Sequence, residues 1–231
     1  MKTAIAAACL TVATGLAPPA AHADNKAGSI PARDLLHNVP VFYVADEDGA
    51  PVKINGSDEV TYYLTRAQAS IAVGMARADL AEAGKNGDAL HVELTDLREA
   101  AVDKRPHEFF KPSSRLPAAA SIPGVPLFLV RDGEGTPFTL RDANGKQRVY
   151  FYLSEKDAQA FALRILKETG RKTDDVTLSI VSLDPVLDSI LNSRDPLVQN
   201  WTIWSSAETR KDADSLKTAE QALLAPALRP E

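Results

Sequence analysis

One pattern occurs twice in this chain, and the repetition restricts its possible folds more than any other feature. Residues 39–44 (VPVFYV) match residues 125–130 (VPLFLV) at four of six positions. After a three-residue difference in the length of the next turn, residues 60–64 (VTYYL) match residues 149–153 (VYFYL) in the same order. Two matches in the same order along the chain indicate that one structural unit has been used twice. We therefore predict an internal duplication.

Each copy predicts three strands followed by a helix. In the first copy, residues 39–44 are apolar on both faces, as in a buried strand, and strands at 52–54 and 60–64 follow Asp-Gly and Asn-Gly turns. Thr65 begins a capping box, so a helix should run from there to about Ala83. A further strand, a short helix and a last strand complete the half. The sequence thus predicts an α+β fold of two β-β-β-α-β-(α)-β halves related by a pseudo-two-fold.

The domain boundaries follow from composition. Residues 1–23 combine a basic start, a short apolar run and a small-x-small cleavage site, which is the pattern of a secretory signal peptide. Residues 24–231 are predicted to form a single domain. Its predicted parts are a first half at 39–111, a linker at 112–124, a second half at 125–206 and a C-terminal helix at 207–224.

Compartment and partners are limited by the cysteine count and the charge. The only cysteine, Cys9, lies inside the predicted signal peptide, so the mature chain should fold without disulfides, which suits a bacterial periplasm. The net charge is −5 with both signs interspersed, which gives no reason to expect nucleic acid or an anionic bilayer as partner. No segment approaches the roughly 20 apolar residues of a membrane span.

Motifs for catalysis or metal binding are not evident. The histidines His37, His91 and His107 have no neighbouring ligand in the sequence, and surface or interface roles are favoured for them. The acidic turns beginning at Asp46 and Asp142 resemble pieces of a calcium loop but lack its terminal carboxylates, so they are interpreted as turns. No nucleophile motif or dinucleotide fingerprint is present. We predict no catalytic residue, no metal and no cofactor.

The duplicated pattern is similar to the Tic22 family, which comprises a chloroplast inner-envelope translocon component and its bacterial periplasmic relatives. The resemblance rests on the strands VPVF and VPLF, the acidic turn ending in Gly-x-Pro, and the aromatic strand with its capped helix (YFYLSEKDAQAFA), over about residues 35–224. It implies a Tic22-like α+β protein, without enzymatic activity, that assists precursor or outer-membrane proteins across an aqueous gap.

The aromatic strands supply the candidate binding residues. Alternation places Val60, Tyr62 and Leu64 on one face, predicted to pack the helix, and Tyr63 on the other. In the second half it likewise places Phe151 on the helix-packing face and Tyr152 on the other. One interpretation has the second face meet the other half, which would bury both Tyr63 and Tyr152. The other places it in a shallow groove that accepts extended apolar segments. The predicted groove consists of the following residues: Thr61, Tyr63, Tyr150, Tyr152, Trp201 and Trp204.

The function indicated by the resemblance is a periplasmic chaperone or protein-translocation factor. Its expected partners are unfolded or precursor proteins, with outer-membrane assembly or translocon components as further candidates. The alternative from another class is a periplasmic binder of a small apolar ligand. A deep closed pocket would favour the ligand binder, whereas an open apolar groove would favour the chaperone.

Overall fold

The computed structural model describes residues 30–54, 57–111, 116–142 and 144–224, with side chains as far as residue 218. The predicted signal peptide at 1–23, the Asn55-Gly56 turn and residues 112–115 of the predicted linker lie outside the described residues.

The chain divides into two compact units. The first unit is Arg33–Pro112 with Ile203–Glu231, and the second unit is Ser113–Thr202 with Met1–Ala32. The C-terminal segment therefore belongs to the first unit, although it follows the second unit in sequence.

The first part of the chain contributes three helices and four strands. They are α1 (Ala32–Leu35), β1 (Pro40–Ala45), β2 (Val60–Tyr62), α2 (Arg66–Glu82), β3 (His91–Asp96), α3 (Leu97–Ala101) and β4 (His107–Phe109). In the first unit β1 pairs with β3 in antiparallel fashion, and β2 pairs with β4 in parallel.

The second part of the chain contributes four helices and five strands. They are α4 (Pro117–Ser121), β5 (Pro126–Asp132), β6 (Thr139–Arg141), β7 (Gln147–Tyr152), α5 (Glu155–Thr169), β8 (Val176–Ser182), α6 (Leu183–Asn192), β9 (Trp201–Trp204) and α7 (Ala207–Leu224). The sheet has the order β6-β7-β5-β8, and β9 pairs with β7. These elements confirm a mixed α+β fold.

The helix starts follow the capping chemistry of the sequence. The Oγ1 of Thr65 accepts the amide of Gln68 at 3.3 Å before α2, and the Oγ of Ser154 accepts the amide of Asp157 at 3.3 Å before α5. Both bonds satisfy a backbone donor that has no partner inside the helix. Helix α5 ends at Thr169 and is capped by Gly170, whose φ of 66° is the left-handed conformation that glycine adopts at low cost.

The antiparallel pairs of the two units have the same register. Pro40 lies opposite Asp96 in the first unit, and Pro126 lies opposite Ser182 in the second. The Asp46 carboxylate accepts two amides of its own turn, from Asp48 and Ala50, at 3.0 and 2.9 Å. Asp132 and Asp142 do the same in their turns. The predicted interpretation of the acidic segments as turns is confirmed.

The predicted strand at residues 52–54 of the first half is wrong. The structure has only an isolated bridge between Ala45 and Pro51, with the Val52 amide donating to the Val44 carbonyl at 2.9 Å. In the second half, β7 starts early enough to pair with β6 through Val149 and Thr139. The first half is shorter here and β2 begins only at Val60, so residues 52–54 have no strand to pair with.

Candidate functional site

Tyr63, one of the predicted groove residues, lies in the core of the first unit. Its side chain is 5% exposed and belongs to a cluster formed by β1, α2 and α7. The buried members of this cluster are Phe42, Val44, Ile54, Tyr63, Ala69, Ala72, Val73, Ala76, Leu90 and Ala213. Phe110 lies on the outer side of the tyrosine, with 5.4 Å between the ring centroids. Burial raises the pKa of Tyr63 above its usual value.

The predicted assignment of the strand faces is wrong. Tyr63 packs with the α2 residues Ala69 and Val73, whereas Tyr62 contacts Tyr43 and Phe109. Neighbouring residues of a strand point to opposite faces. The face that packs on the helix is therefore the face of Tyr63, which the sequence had predicted to point away from the helix. The physical reason is that the strand is buried on both faces, so alternation alone does not distinguish them.

The second unit has the same inversion. Tyr152 is also 5% exposed and packs on Phe161 of α5, with 5.7 Å between the ring centroids. Phe151, on the other face of β7, packs on Trp201 at 5.1 Å. Burial raises the pKa of Tyr152. Helix α5 therefore covers the tyrosine face of its strand in the same way as α2 does.

The six predicted groove residues differ in burial. Thr61, Tyr63 and Tyr152 are buried, and the hydroxyl of Thr61 donates to the Glu108 carboxylate at 3.2 Å. Tyr150, Trp201 and Trp204 are half-buried. Tyr150 and Tyr152 lie side by side, 6.3 Å apart, and the Arg210 guanidinium lies 4.1 Å above the Trp204 ring. The buried residues do not offer surface to a ligand in this conformation.

A second aromatic cluster in the first unit was not predicted. Tyr62 lies at its centre, 6.0 Å from Tyr43, 5.7 Å from His107 and 5.8 Å from Phe109. These are separations at which aromatic rings attract one another in edge or tilted geometry. Three of the four rings are half-buried, so this cluster of β1, β2 and β4 is a partly accessible aromatic surface.

An ion pair closes one end of this cluster. The Tyr62 hydroxyl donates to the Asp103 carboxylate at 2.7 Å, and the Arg105 Nε donates to both oxygens of Asp103 at 3.0 and 2.9 Å. Hydrogen bonds from the Arg105 side chain, joined by the Tyr62 hydroxyl, hold the pKa of Asp103 well below its usual range. Burial and the bond to Asp103 raise the pKa of Tyr62.

Asp103→Asn is expected to lower the free energy of unfolding by about 1–2 kcal/mol at neutral pH, because the charged hydrogen bonds are lost while Arg105 stays half-exposed. A carboxylate with a depressed folded pKa stabilises above its unfolded pKa of about 4, and this contribution disappears as the pH falls further. Urea denaturation should therefore show a difference in the free energy of unfolding between wild type and variant, and this difference should become smaller below about pH 4. The exposed Asp58→Asn is the control and should show no such gap.

A buried arginine holds part of the second unit together, and the sequence did not indicate it. Arg148 of β7 is 1% exposed. Its Nε donates to Asp142 Oδ2 at 2.6 Å, Nη2 donates to the Ile30 carbonyl at 2.8 Å, and Nη1 donates to the Gln199 carbonyl at 3.4 Å. Burial opposes ionisation of Asp142, but the bonds from Arg148 and two turn amides keep the pKa of that carboxyl below normal.

Helix α2 also exposes apolar surface. Ile71 is 65% and Met75 is 53% exposed, while Ala69, Ala72, Val73 and Ala76 on the opposite side are buried. The helix has no charged residue at 67–76, and Gln68 and Ser70 are its only polar residues there, so both of its faces are mostly apolar over that stretch. A helix that is apolar all round usually has a partner on each side. The absence of charge at residues 67–76 was the feature of the sequence from which the exposed apolar face of α2 could have been predicted.

The described residues offer little for metal chemistry. No three His, Cys, Asp or Glu side chains among them lie where they could hold a metal ion. In the same part of the chain, none of the helices combines the length and apolarity of a membrane span. What the surface offers is aromatic and aliphatic contact area and strand edges.

The comparisons with known proteins identify the fold. No family model and no curated protein sequence matches the chain. Its structure is similar to that of Anabaena Tic22, a protein of protein transport, with a TM-score of 0.62 and 17% identity over 80% of this chain and 95% of that one. It is also similar to Tic22 from Plasmodium falciparum, with a TM-score of 0.61 and 12% identity over 82% and 99% of the two chains. The resemblance predicted from the sequence is confirmed: the chain has a Tic22-like fold.

Proposed function

We propose that this chain is a non-enzymatic protein-transport factor that holds unfolded precursor or outer-membrane proteins in the periplasm. The observation that carries the proposal is the Tic22-like fold, which extends over four-fifths of the chain. One of the structures that share this fold, Anabaena Tic22, is a protein-transport protein. The leader pattern at residues 1–23 supports export. The chain would bind its clients without nucleotide, through burial of apolar surface.

The apolar outer face of α2 is the surface best suited to a first contact with an unfolded chain. Ile71 and Met75 already lie exposed, so a client can cover them without any rearrangement of the protein. Methionine is flexible and polarisable, which suits contact with varied sequences. The predicted groove stays a prediction, and only its half-buried members, Tyr150, Trp201 and Trp204, can reach a client as the side chains lie.

The internal duplication is part of this proposal. It is supported by the equal strand registers of the two units, by their capped helices and by turns with the same hydrogen bonds. Under this proposal the two helices have diverged: Leu163 is exposed on α5, but it has Arg164 beside it and Lys167 on the next turn. The apolar outer face would then be a property of α2 alone. The predicted pseudo-two-fold stays a prediction.

The test is suppression of aggregation of a urea-denatured outer-membrane protein by the purified mature chain. Wild type should delay aggregation without nucleotide. Ile71→Ser/Met75→Ser should need roughly thirty-fold more protein, since the two lost apolar contacts together remove roughly 2 kcal/mol of binding free energy. Leu163→Ser is the matched control, because it removes an equally exposed side chain from a charged helix face. Wild type without holding activity would overturn the proposal.

A further inference from the structure

Strand β8 forms an open edge of the sheet in the second unit. It pairs with β5 over its whole length, and β5 is its only strand partner within the described part of the chain. The Leu183 amide donates to the Val125 carbonyl at 2.8 Å, just beyond the end of β8. This bond shows which residues of β8 direct their backbone groups toward β5 and which direct them outward. Since bonded pairs recur at every second residue, Thr177, Ser179 and Val181 bond to β5. Leu178 and Ile180 then direct their N–H and C=O groups away from the sheet.

This edge lacks the features that usually prevent another strand from adding to it. The strand, VTLSIVS, contains no charge and no proline, and all its residues are partly or fully exposed. Proteins commonly protect an edge strand with charged side chains, proline or a bulge. An unprotected edge of seven residues offers a row of donors and acceptors that only another extended backbone can satisfy.

The corresponding strand of the first unit is different. Strand β3 also pairs with a single described strand, β1, in the same register. It carries His91 and Glu93, whose side chains contact each other at 2.9 Å, and it ends at Asp96. An added strand would have to pack beside these polar and charged groups. The two units therefore differ at the edge where they are otherwise most alike.

We propose that the outer edge of β8 binds an extended, uncharged segment of a client polypeptide as an added β-strand. The proposal rests on the proposed function and specifies the form in which a client is held. Backbone bonds supply affinity that does not depend on the client sequence, as in other cases of strand addition. A second copy of this chain is a poorer occupant, because two chains that each have a net charge of −5 repel each other.

The partner side of the edge can be tested with a labelled peptide of alternating valine and threonine. Fluorescence anisotropy with the full mature chain should show binding. The same peptide, N-methylated at every second residue along one edge, should bind about ten-fold more weakly, because two or three backbone bonds are lost. Equal binding of the two peptides would overturn the proposal.

The protein side is tested with Leu178→Pro. Proline removes an outward N–H that makes no bond within the sheet, so the fold should survive at an edge position. Peptide binding should fall about ten-fold. The matched control is Val92→Pro, at the same register of β3, which should bind the peptide like wild type. If Leu178→Pro does not fold by circular dichroism, Thr177→Lys, at an exposed side chain, replaces it and should give the same loss.

The outcomes separate this inference from the proposed function. Wild type that suppresses client aggregation, with a folded Leu178→Pro variant that does so equally well, would overturn the role of β8 and leave the holding function intact. Peptide binding by wild type without any holding of clients would support the edge and overturn the holding function. A change from dimer to monomer in Leu178→Pro, measured by sedimentation, would assign the edge to a second copy and overturn the client assignment.

Discussion

Replacing Arg148 by methionine is expected to lower the free energy of unfolding by about 3–5 kcal/mol, the usual effect of removing one partner of a buried ion pair. The guanidinium is almost completely buried, and it satisfies Asp142 and the carbonyls of Ile30 and Gln199 at once. Methionine has a similar volume but no donor, so a carboxylate and two carbonyls would lose their partner. Equilibrium urea denaturation followed by circular dichroism measures the change.

Arg141→Met is the matched control for this experiment. Arg141 is an exposed residue of β6 in the same hairpin, so its loss should change the stability by less than about 0.5 kcal/mol. The double variant Asp142→Asn/Arg148→Met should recover part of the loss, because it also removes the unpaired charge. A loss below about 1 kcal/mol for Arg148→Met would mean that solvent reaches the site.

The order of the elements could be predicted because the chemistry that sets it is local. The hydroxyls of Thr65 and Ser154, the Gly-containing turns and the two apolar strands each act over a few residues. Both hydroxyls, both strands and the turns that lie within the described residues have their predicted roles in the structure. The missing strand at residues 52–54 has a non-local cause. A strand forms there only if its partner begins early enough, and β2 begins at Val60.

The site was less predictable because burial depends on what packs on a strand. The segment VTYYL has apolar side chains on both faces, so the pattern contains no information about which face meets the helix. Arg148 gave no signal either, since a lone arginine in a strand is ordinarily exposed. Its burial requires Asp142, Ile30 and Gln199 to converge, and Ile30 lies 118 residues away in sequence.

Tyr63→Ala is expected to destabilise the protein by about 3–5 kcal/mol, the usual effect of truncating a large buried aromatic side chain. The ring belongs to the same buried cluster as Phe42 of β1 and Val73 of α2, and alanine would leave a cavity that this packed cluster can close only in part. Tyr152→Ala should have an effect of similar size, because its ring packs on Phe161 of α5. Urea denaturation of the two single variants measures both changes.

Tyr63→Phe separates packing from polar effects. It keeps the ring and removes only the hydroxyl, so the loss should stay near 1 kcal/mol. Folded Tyr63→Phe should hold clients like wild type, whereas Tyr63→Ala should lose holding activity only in proportion to its unfolded fraction. A buried ring affects a client only by supporting the surface above it, so the loss of binding should follow the loss of stability. A Tyr63→Ala variant that stays as stable as wild type but loses client binding would contradict the assignment of Tyr63 to the core. The exposed neighbour Phe110, stacked on Tyr63, is the ring through which such an effect would reach the surface.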